Sequence, residues 1–252
     1  YFHQLFINGA RRTRARTPND GFLRTAGNLP EITDLPKQRN EPAAKLGFTF
    51  KGTDLKAWPD LGDANVVLYY DWSTSRHWVT EVDEAKRTIR FTNPTGWPVC
   101  HWEKEQRYHI EGFREALDQP GEWHLDRKTG TLSYWPLPGE EMAKVQAVVP
   151  RFERLLELSG DPAAGRFVEH IRFEGLSFQY ADWQHDRTKQ AEMQAAVFCT
   201  GAIYGAGARG CHFTRCEIAH VGEYALWLEE GCQSNEIRRC EIHDMGAGGI
   251  RL

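Results

Sequence analysis

The chain lacks the marks of several function classes. Its six cysteines, Cys100, Cys199, Cys211, Cys216, Cys232 and Cys240, form no CxxC pair, which argues against a zinc ribbon or a thioredoxin-type redox site. An even cysteine count in a chain of 252 residues does not imply a disulfide framework, which belongs to short secreted domains. No apolar run approaches the roughly 18 residues of a membrane-spanning helix. The opening Tyr1-Phe2-His3-Gln4-Leu5-Phe6 has no charged stretch followed by an apolar core, so no signal peptide is read there. The glycine-rich Gly201 to Gly210 segment has no GK[ST] ending, which excludes a P-loop and leaves tight turns as its expected use. Nor does charge of one sign dominate. With 31 Lys and Arg against 35 Asp and Glu the net charge is −4, giving no general pull toward nucleic acid or anionic lipid.

What is present is apolar, aromatic and repetitive. Hydrophobic residues make up 40% of the chain and aromatics 12%, enough to bury a core. Phe213 to Leu228 laid over Ile237 to Leu252 gives six identities in 16 positions at a constant offset of 24 residues. Arg215, Cys216, Glu217, Ile218, Gly222 and Leu228 meet Arg239, Cys240, Glu241, Ile242, Gly246 and Leu252. A weaker copy, Phe173-Glu174-Gly175-Leu176-Ser177-Phe178, lies 40 residues upstream of Phe213, as if that turn carried an insertion of 16 residues. Short alternating stretches such as Cys216-Glu217-Ile218 are strand signals. A unit of two or three short strands buries its inner face only by stacking on copies of itself. The expected fold is therefore mainly β, a right-handed parallel β-helix of about 24 residues per coil. Cys216 is expected to stack on Cys240, and Ile218 on Ile242.

The first 150 residues differ. Leu46 to Phe50, Ala64 to Trp72, Trp78 to Val82 and Thr88 to Phe91 are strand-like. Asp83 to Arg87 and Arg127 to Gly130 read as hairpin connections. Ile110 to Leu117 and Thr188 to Ala196 are the helix candidates. The expected division is residues 1–19 as a strand of the β-helix core, 20–150 as an inserted β-rich subdomain and 151–252 as coils. Both ends fall within a pattern, so the chain reads as an internal piece of a longer protein.

Three motifs carry a family resemblance. Leu5-Phe6-Ile7-Asn8-Gly9 with Arg14-Ala15-Arg16-Thr17-Pro18-Asn19 resembles the LFVNG…RAR.PN stretch of bacterial β-helix carbohydrate-active proteins. Leu117-Asp118-Gln119-Pro120-Gly121-Glu122-Trp123-His124-Leu125-Asp126 with Gly130 to Pro136 is similar to their LD.PGEWYLD…TG.LYYWP motif. Cys240-Glu241-Ile242-His243-Asp244 with Gly246 to Ile250 looks like their CEIHD.GAGGI coil. The families concerned are glycoside hydrolase family 141 and, more loosely, family 120. The resemblance implies a β-helix with an inserted subdomain, hydrolysis of plant or algal polysaccharide by two carboxylates, and a periplasmic or secreted location. It implies a poly- or oligosaccharide partner; the charge balance and the lack of a long apolar run give the expectation of no nucleic-acid or membrane partner, and no cofactor is expected. It also implies further coils after Gly249 that hold most of the catalytic carboxylates, so the chain alone is expected to be catalytically weak.

Coil geometry suits sugar chemistry. Equivalent residues on neighbouring coils stand about 4.8 Å apart, near the roughly 5–5.5 Å between the carboxyls of retaining glycosidases. Asp186, Glu223 and Asp244 each put a carboxylate near a coil-edge loop and are the candidate catalytic groups. Trp183, His185, Trp227, His243 and Arg251 are the candidate substrate-binding groups: indoles stack on sugar rings, imidazoles titrate near neutrality, and Arg beside Trp makes a cation–π pair. Each also has a plain structural reading. Asp182 to Arg187 is a polar surface loop, His220 and Asp244 are turn positions, and Glu217 and Glu241 are a solvated ladder balanced by Arg215, Arg238 and Arg239. No His, Cys or carboxylate set has metal spacing. Calcium would suit the many Asp and carbonyl oxygens, but no position marks it. Trp72, Trp78, Trp97, Trp102, Trp123 and Trp135 are expected in packing, with the hairpin of Trp123 and Trp135 largely buried. A carbohydrate-binding module would instead present such rings to solvent. A polysaccharide lyase on the same fold would need a basic groove, and a non-catalytic surface protein would show neither feature.

Overall fold

The computed structural model describes residues 1–184, 186–189 and 194–252. The chain is mainly β and divides into two compact units. The first comprises Tyr1–Arg11, Gln146–Gln184 and Ala196–Leu252, and the second comprises Arg12–Val145 and His185–Ala195.

The first unit is built of parallel ladders. Leu156–Ser159, Gly201–Ala206, Tyr224–Leu228 and Ile250–Arg251 form one. Arg172–Glu174, His212–Thr214 and Glu236–Arg238 form a second. Ser177–Ala181, Glu217–Val221 and Glu241–Met245 form a third. The register is the one written in the sequence: Phe178 pairs with Ile218 and Ile218 with Ile242. Leu158, Ile203, Phe213, Ile218 and Leu226 form a core between the ladders, with Phe173 and Ile242 half-buried against it. Cys216 is buried beside it and Cys240 half-buried, both as free thiols. Between the second and third ladders the chain turns at equivalent positions, Gly175, Arg215 and Arg239, with φ of 64°, 53° and 55°. A β-carbon in this left-handed region costs roughly 1–2 kcal/mol. Gly175 has none, and Arg215 is held there by its N–H donating to Arg238 O at 3.0 Å.

In the second unit the pairing closes on itself. Arg107–Glu111 pairs with Leu23–Gly27 and with Asn65–Tyr69. From Asn65–Tyr69 the circuit runs through Thr74–Asp83, Thr88–Phe91 and Gly47–Phe50 back to Leu23–Gly27, all antiparallel. Phe48, Phe50, Val66, Leu68, Ile89 and Tyr108 fill its interior. Two sequence expectations are corrected here. Ile110 to Leu117 is not a helix: Ile110 pairs with Thr17 on one side and Val66 on the other, and only a 3₁₀ turn at Arg114–Ala116 follows. Burial between two strands outweighs the local helical pattern. Trp123 is 2% exposed but Trp135 is 45% exposed, because Thr131–Tyr134 lies at a sheet edge with Glu122–Asp126 as its partner. The other helix candidate, Thr188 to Ala196, falls partly outside the described residues. Its last three residues, Gln194–Ala196, include Ala195 at a left-handed φ of 57°.

Gly201 to Gly210 is likewise mostly strand rather than turn, with Gly201–Ala206 in the first ladder and left-handed turns at Gly207 and Gly210.

Tyr108 exposes a cost inside the second unit. Its side chain is fully buried, and its hydroxyl has no hydrogen-bond partner among the described residues. Burial, and then the charge of Asp54, push its ionisation far above the ordinary value. An unsatisfied buried hydroxyl costs roughly 1–3 kcal/mol, so Tyr108→Phe should raise stability by about 1 kcal/mol, read from the urea midpoint. A loss of stability would mean that the hydroxyl is bonded.

Candidate active site

The residues of interest gather in the first unit, at the corner where the third ladder meets the first. Leu156, Ile203 and Leu226 are in register, which makes Glu153, Thr200 and Glu223 equivalent positions just before their strands. Asp182 follows Ser177–Ala181 on the other arm of the corner. Its N–H donates to Phe152 O at 2.8 Å, and the Gly222 N–H donates to Ala181 O at 2.9 Å. Position 222 must be glycine: a β-carbon there would come within 2.6 Å of Gln4 Nε2 and 2.8 Å of Trp183 Cβ. That close approach sets Glu223 beside the Asp182-Trp183 turn.

Three carboxyls therefore share one corner. Glu223 is 7% exposed, and one of its oxygens accepts from the Thr200 N–H at 3.0 Å. Burial pushes its pKa up to about 7, reinforced by the charges of Glu153 and Asp182 and opposed by the Thr200 N–H and Arg154. Glu153 is also raised, by burial first and then by Asp182. Asp182 is 2% exposed. It accepts from the His3 N–H at 3.3 Å and from Gln4 Nε2 at 3.3 Å, and it meets His3 Nδ1 at 3.1 Å. Trp183 lies against the His3 ring, with centroids 4.9 Å apart. Nearby Cys199 is a neutral thiol, raised to about 11 by burial and then by Glu223. A buried carboxyl with a raised pKa, a second carboxyl held by hydrogen bonds, an arginine and an indole face can together serve acid–base chemistry on a polar substrate.

The sequence candidates divide. Glu223 and Trp183 lie in this corner. Arg251 borders it: its guanidinium donates to Cys199 O at 3.0 Å and sits 4.0 Å from the Trp227 ring, so that cation–π pair is formed. Asp244 is engaged elsewhere. It bonds Arg11 Nε at 3.0 Å and His220 Nδ1 at 2.7 Å. Burial opposes its ionisation, but these two partners prevail and hold it low. Both His220 and Asp244 take left-handed φ, 57° and 50°, as turn residues do. His243 Nε2 meets Glu217 at 3.2 Å. Glu217 is bonded by Ser177 Oγ and Gln179 Nε2, both at 2.6 Å. The balancing groups of that ladder are therefore these, whereas Arg215 pairs with Glu174 and Arg238 with Glu236. Asp186 belongs to the second unit. Its exposed carboxylate is capped by Thr188 and Lys189. His185 lies outside the described residues.

Sequence reasoning had Asp182 only as part of a loop and passed over Glu153, His3, Gln4 and Arg154. The available signal was register: Glu153 and Glu223 occupy the same place on the first ladder. The second unit has its own buried charge cluster, in which Glu111 is bonded by Arg14, Arg76 and His109. Burial alone would raise Glu111, but the two arginines hold it far below the ordinary range, which suits an anchor rather than a proton donor. Among the described residues, no group of three or more His, Cys, Asp or Glu is arranged to hold a metal ion. No helix there is long and apolar enough to cross a membrane.

No protein-family model matches the chain, and no curated protein matches it. A solved structure described as a glycoside hydrolase aligns with 99% of the chain at a TM-score of 0.76 and 24% identity. The fold is glycoside-hydrolase-like. The chain covers 48% of that structure and so spans about half its length.

Proposed function

We propose that the chain is part of a glycoside hydrolase acting on plant or algal polysaccharide, and that its parallel ladders are coils of a right-handed β-helix. The observation that carries this reading is Glu223, a buried carboxyl with a pKa of about 7 beside Asp182 and Glu153. In this reading Glu223 is the general acid. It is protonated near neutrality and gives its proton to the glycosidic oxygen as the bond breaks. Asp182, held by His3 and Gln4, is the second carboxylate, which supports the developing oxocarbenium ion or directs water to it. Glu153 acts on Glu223 through its charge, keeping the proton in place. Trp183 offers its ring to a sugar face. The family resemblance further supports a periplasmic or secreted setting.

The test is a panel of plant and algal polysaccharides incubated with the full-length protein. New reducing ends and the ultraviolet absorbance of unsaturated products are followed together. Hydrolysis should give reducing ends alone, and Asp182→Asn should slow it by about 10²–10⁴-fold. Unsaturated products would assign a lyase. Undiminished hydrolysis by Asp182→Asn would remove this corner from the chemistry.

A further inference from the structure

The second unit carries aromatic rings that its core does not use. Trp72, Trp97 and Trp102 are 50%, 39% and 45% exposed, whereas Trp78 and Trp123 of the same unit are 3% and 2% exposed. The three exposed indoles are contiguous. Trp72 and Trp102 have centroids 5.3 Å apart at 61°, and Trp97 and Trp102 have centroids 5.4 Å apart at 67°. His101 stacks on Trp97 at 5.4 Å and meets the Trp102 ring edge-on at 4.5 Å.

These rings stand on fixed backbone. Between Trp97 and Trp102 the residues Pro98, Val99 and Cys100 are buried. The Val99 N–H donates to Ala44 O at 2.9 Å, and Asn28 Nδ2 donates to Val99 O at 2.6 Å. The Cys100 N–H donates to Gln106 Oε1 at 2.8 Å, while Gln106 Nε2 donates to Tyr69 O at 3.2 Å. That side chain ties the loop of Trp97 and Trp102 to the strand end that precedes Trp72. The Tyr70 hydroxyl adds a bond to Trp97 O at 3.3 Å. A fold that anchors two loops and keeps three tryptophans half-exposed on them presents a fixed apolar surface, and little ordering cost is left for binding.

Charge and shape select the partner. Around the patch Arg24 and Arg107 pair with Glu103, and Lys51 pairs with Glu105. With the exposed Lys104 and Asp71 counted in, four positive charges stand against three negative ones, a near balance that leaves little excess to attract an acidic polymer. The rings offer a contiguous apolar surface set at steep angles, with the exposed Asp71 and the His101 imidazole beside them. A neutral sugar chain has the matching pattern of C–H faces rimmed by hydroxyls. We propose that Trp72, Trp97 and Trp102 form a binding surface for neutral polysaccharide, made of residues distinct from those of the candidate active site. The surface stands whether or not the hydrolase reading holds.

The test is affinity gel electrophoresis of the full-length protein in gels containing hydroxyethylcellulose, arabinoxylan or galactomannan, with polygalacturonate as the acidic comparison. The Glu223→Gln background keeps the polymer intact. At least one neutral polymer should retard the protein more than polygalacturonate does. Trp102→Ala should weaken that retardation at least tenfold, and Trp72→Ala, on the other loop, should weaken it as well. Because these side chains are exposed, the variants should keep the parent circular dichroism and melting temperature. If Trp102→Ala fails to fold, Trp72→Ala and Trp97→Ala decide. The proposal is overturned if no neutral polymer retards the protein, if polygalacturonate binds best, or if folded tryptophan variants bind as the parent does. It is overturned equally if Trp102→Ala turns an oligomer into a monomer on size exclusion, since the patch is then a contact between copies.

Discussion

Glu223→Gln should lower kcat on a polysaccharide by about 10²–10⁴-fold and at the same time make the folded protein more stable above neutral pH. The activity loss follows from removing a carboxyl whose pKa burial pushes up to about 7. Where that proton is needed, kcat/KM should fall as pH rises through about 7, the free-enzyme value of the acid. An aryl glycoside with a good leaving group needs little protonation and should recover much of the rate. The stability gain follows from linkage. The ordinary carboxyl value is 4.5 and the folded value about 7, so between these the native state holds a proton that the unfolded chain has lost. Stability therefore falls as pH rises through that window. The penalty is absent below the ordinary value and complete above the folded one, and a shift of this size is worth about 3 kcal/mol. Glutamine carries no charge and escapes it. Urea midpoints at about pH 4 and about pH 8 should show no gain at the lower pH and a clear gain at the higher. A residue that serves only the fold would lose stability on replacement, so a destabilised Glu223→Gln at the higher pH would sink its assignment as the acid.

The ladders of the first unit were legible because their register is covalent. A repeat without gaps places Ile218 on Ile242, and the upstream copy places Phe173 on Phe213, as the pairing has it. The candidate corner was only half legible. Glu223 drew notice as an acid at a coil edge, but its neighbours come from remote places: Glu153 before Leu156–Ser159, and Asp182, itself held by His3 and Gln4 near the start, before an excursion. Neighbourhood on adjacent strands of the ladders brings them together, and proton affinity there is set by burial and by charges far away in sequence. Asp244 shows the converse. It had the same residue type and a coil-edge place, yet Arg11, distant in sequence, claims it. Ile110 to Leu117 was misread for a related reason, since its helical pattern is local while the two strands flanking Ile110 are not.

Phe213→Ala should cost about 3–5 kcal/mol, among the largest losses of any single truncation in the first unit. Phe213 is 1% exposed and stacks on Phe173 at 4.7 Å with the rings 16° from parallel. In the ladder it pairs with Phe173 on one side and Ile237 on the other. Its ring therefore sits between side chains of the two flanking strands, and removing it opens a cavity within the ladder. The backbone cannot collapse to fill that space, because the Arg215 N–H bond to Arg238 O and the Gly175 N–H bond to Thr214 O, both 3.0 Å, fix the spacing on either side of it. Ile237→Ala is the matched comparison. Ile237 occupies the next place on the ladder but is only half-buried, so it should lose clearly less. Urea unfolding followed by far-ultraviolet circular dichroism measures both. A loss below about 1 kcal/mol for Phe213→Ala, or a larger loss for Ile237→Ala, would mean that this layer of rings is not what holds the ladder strands together.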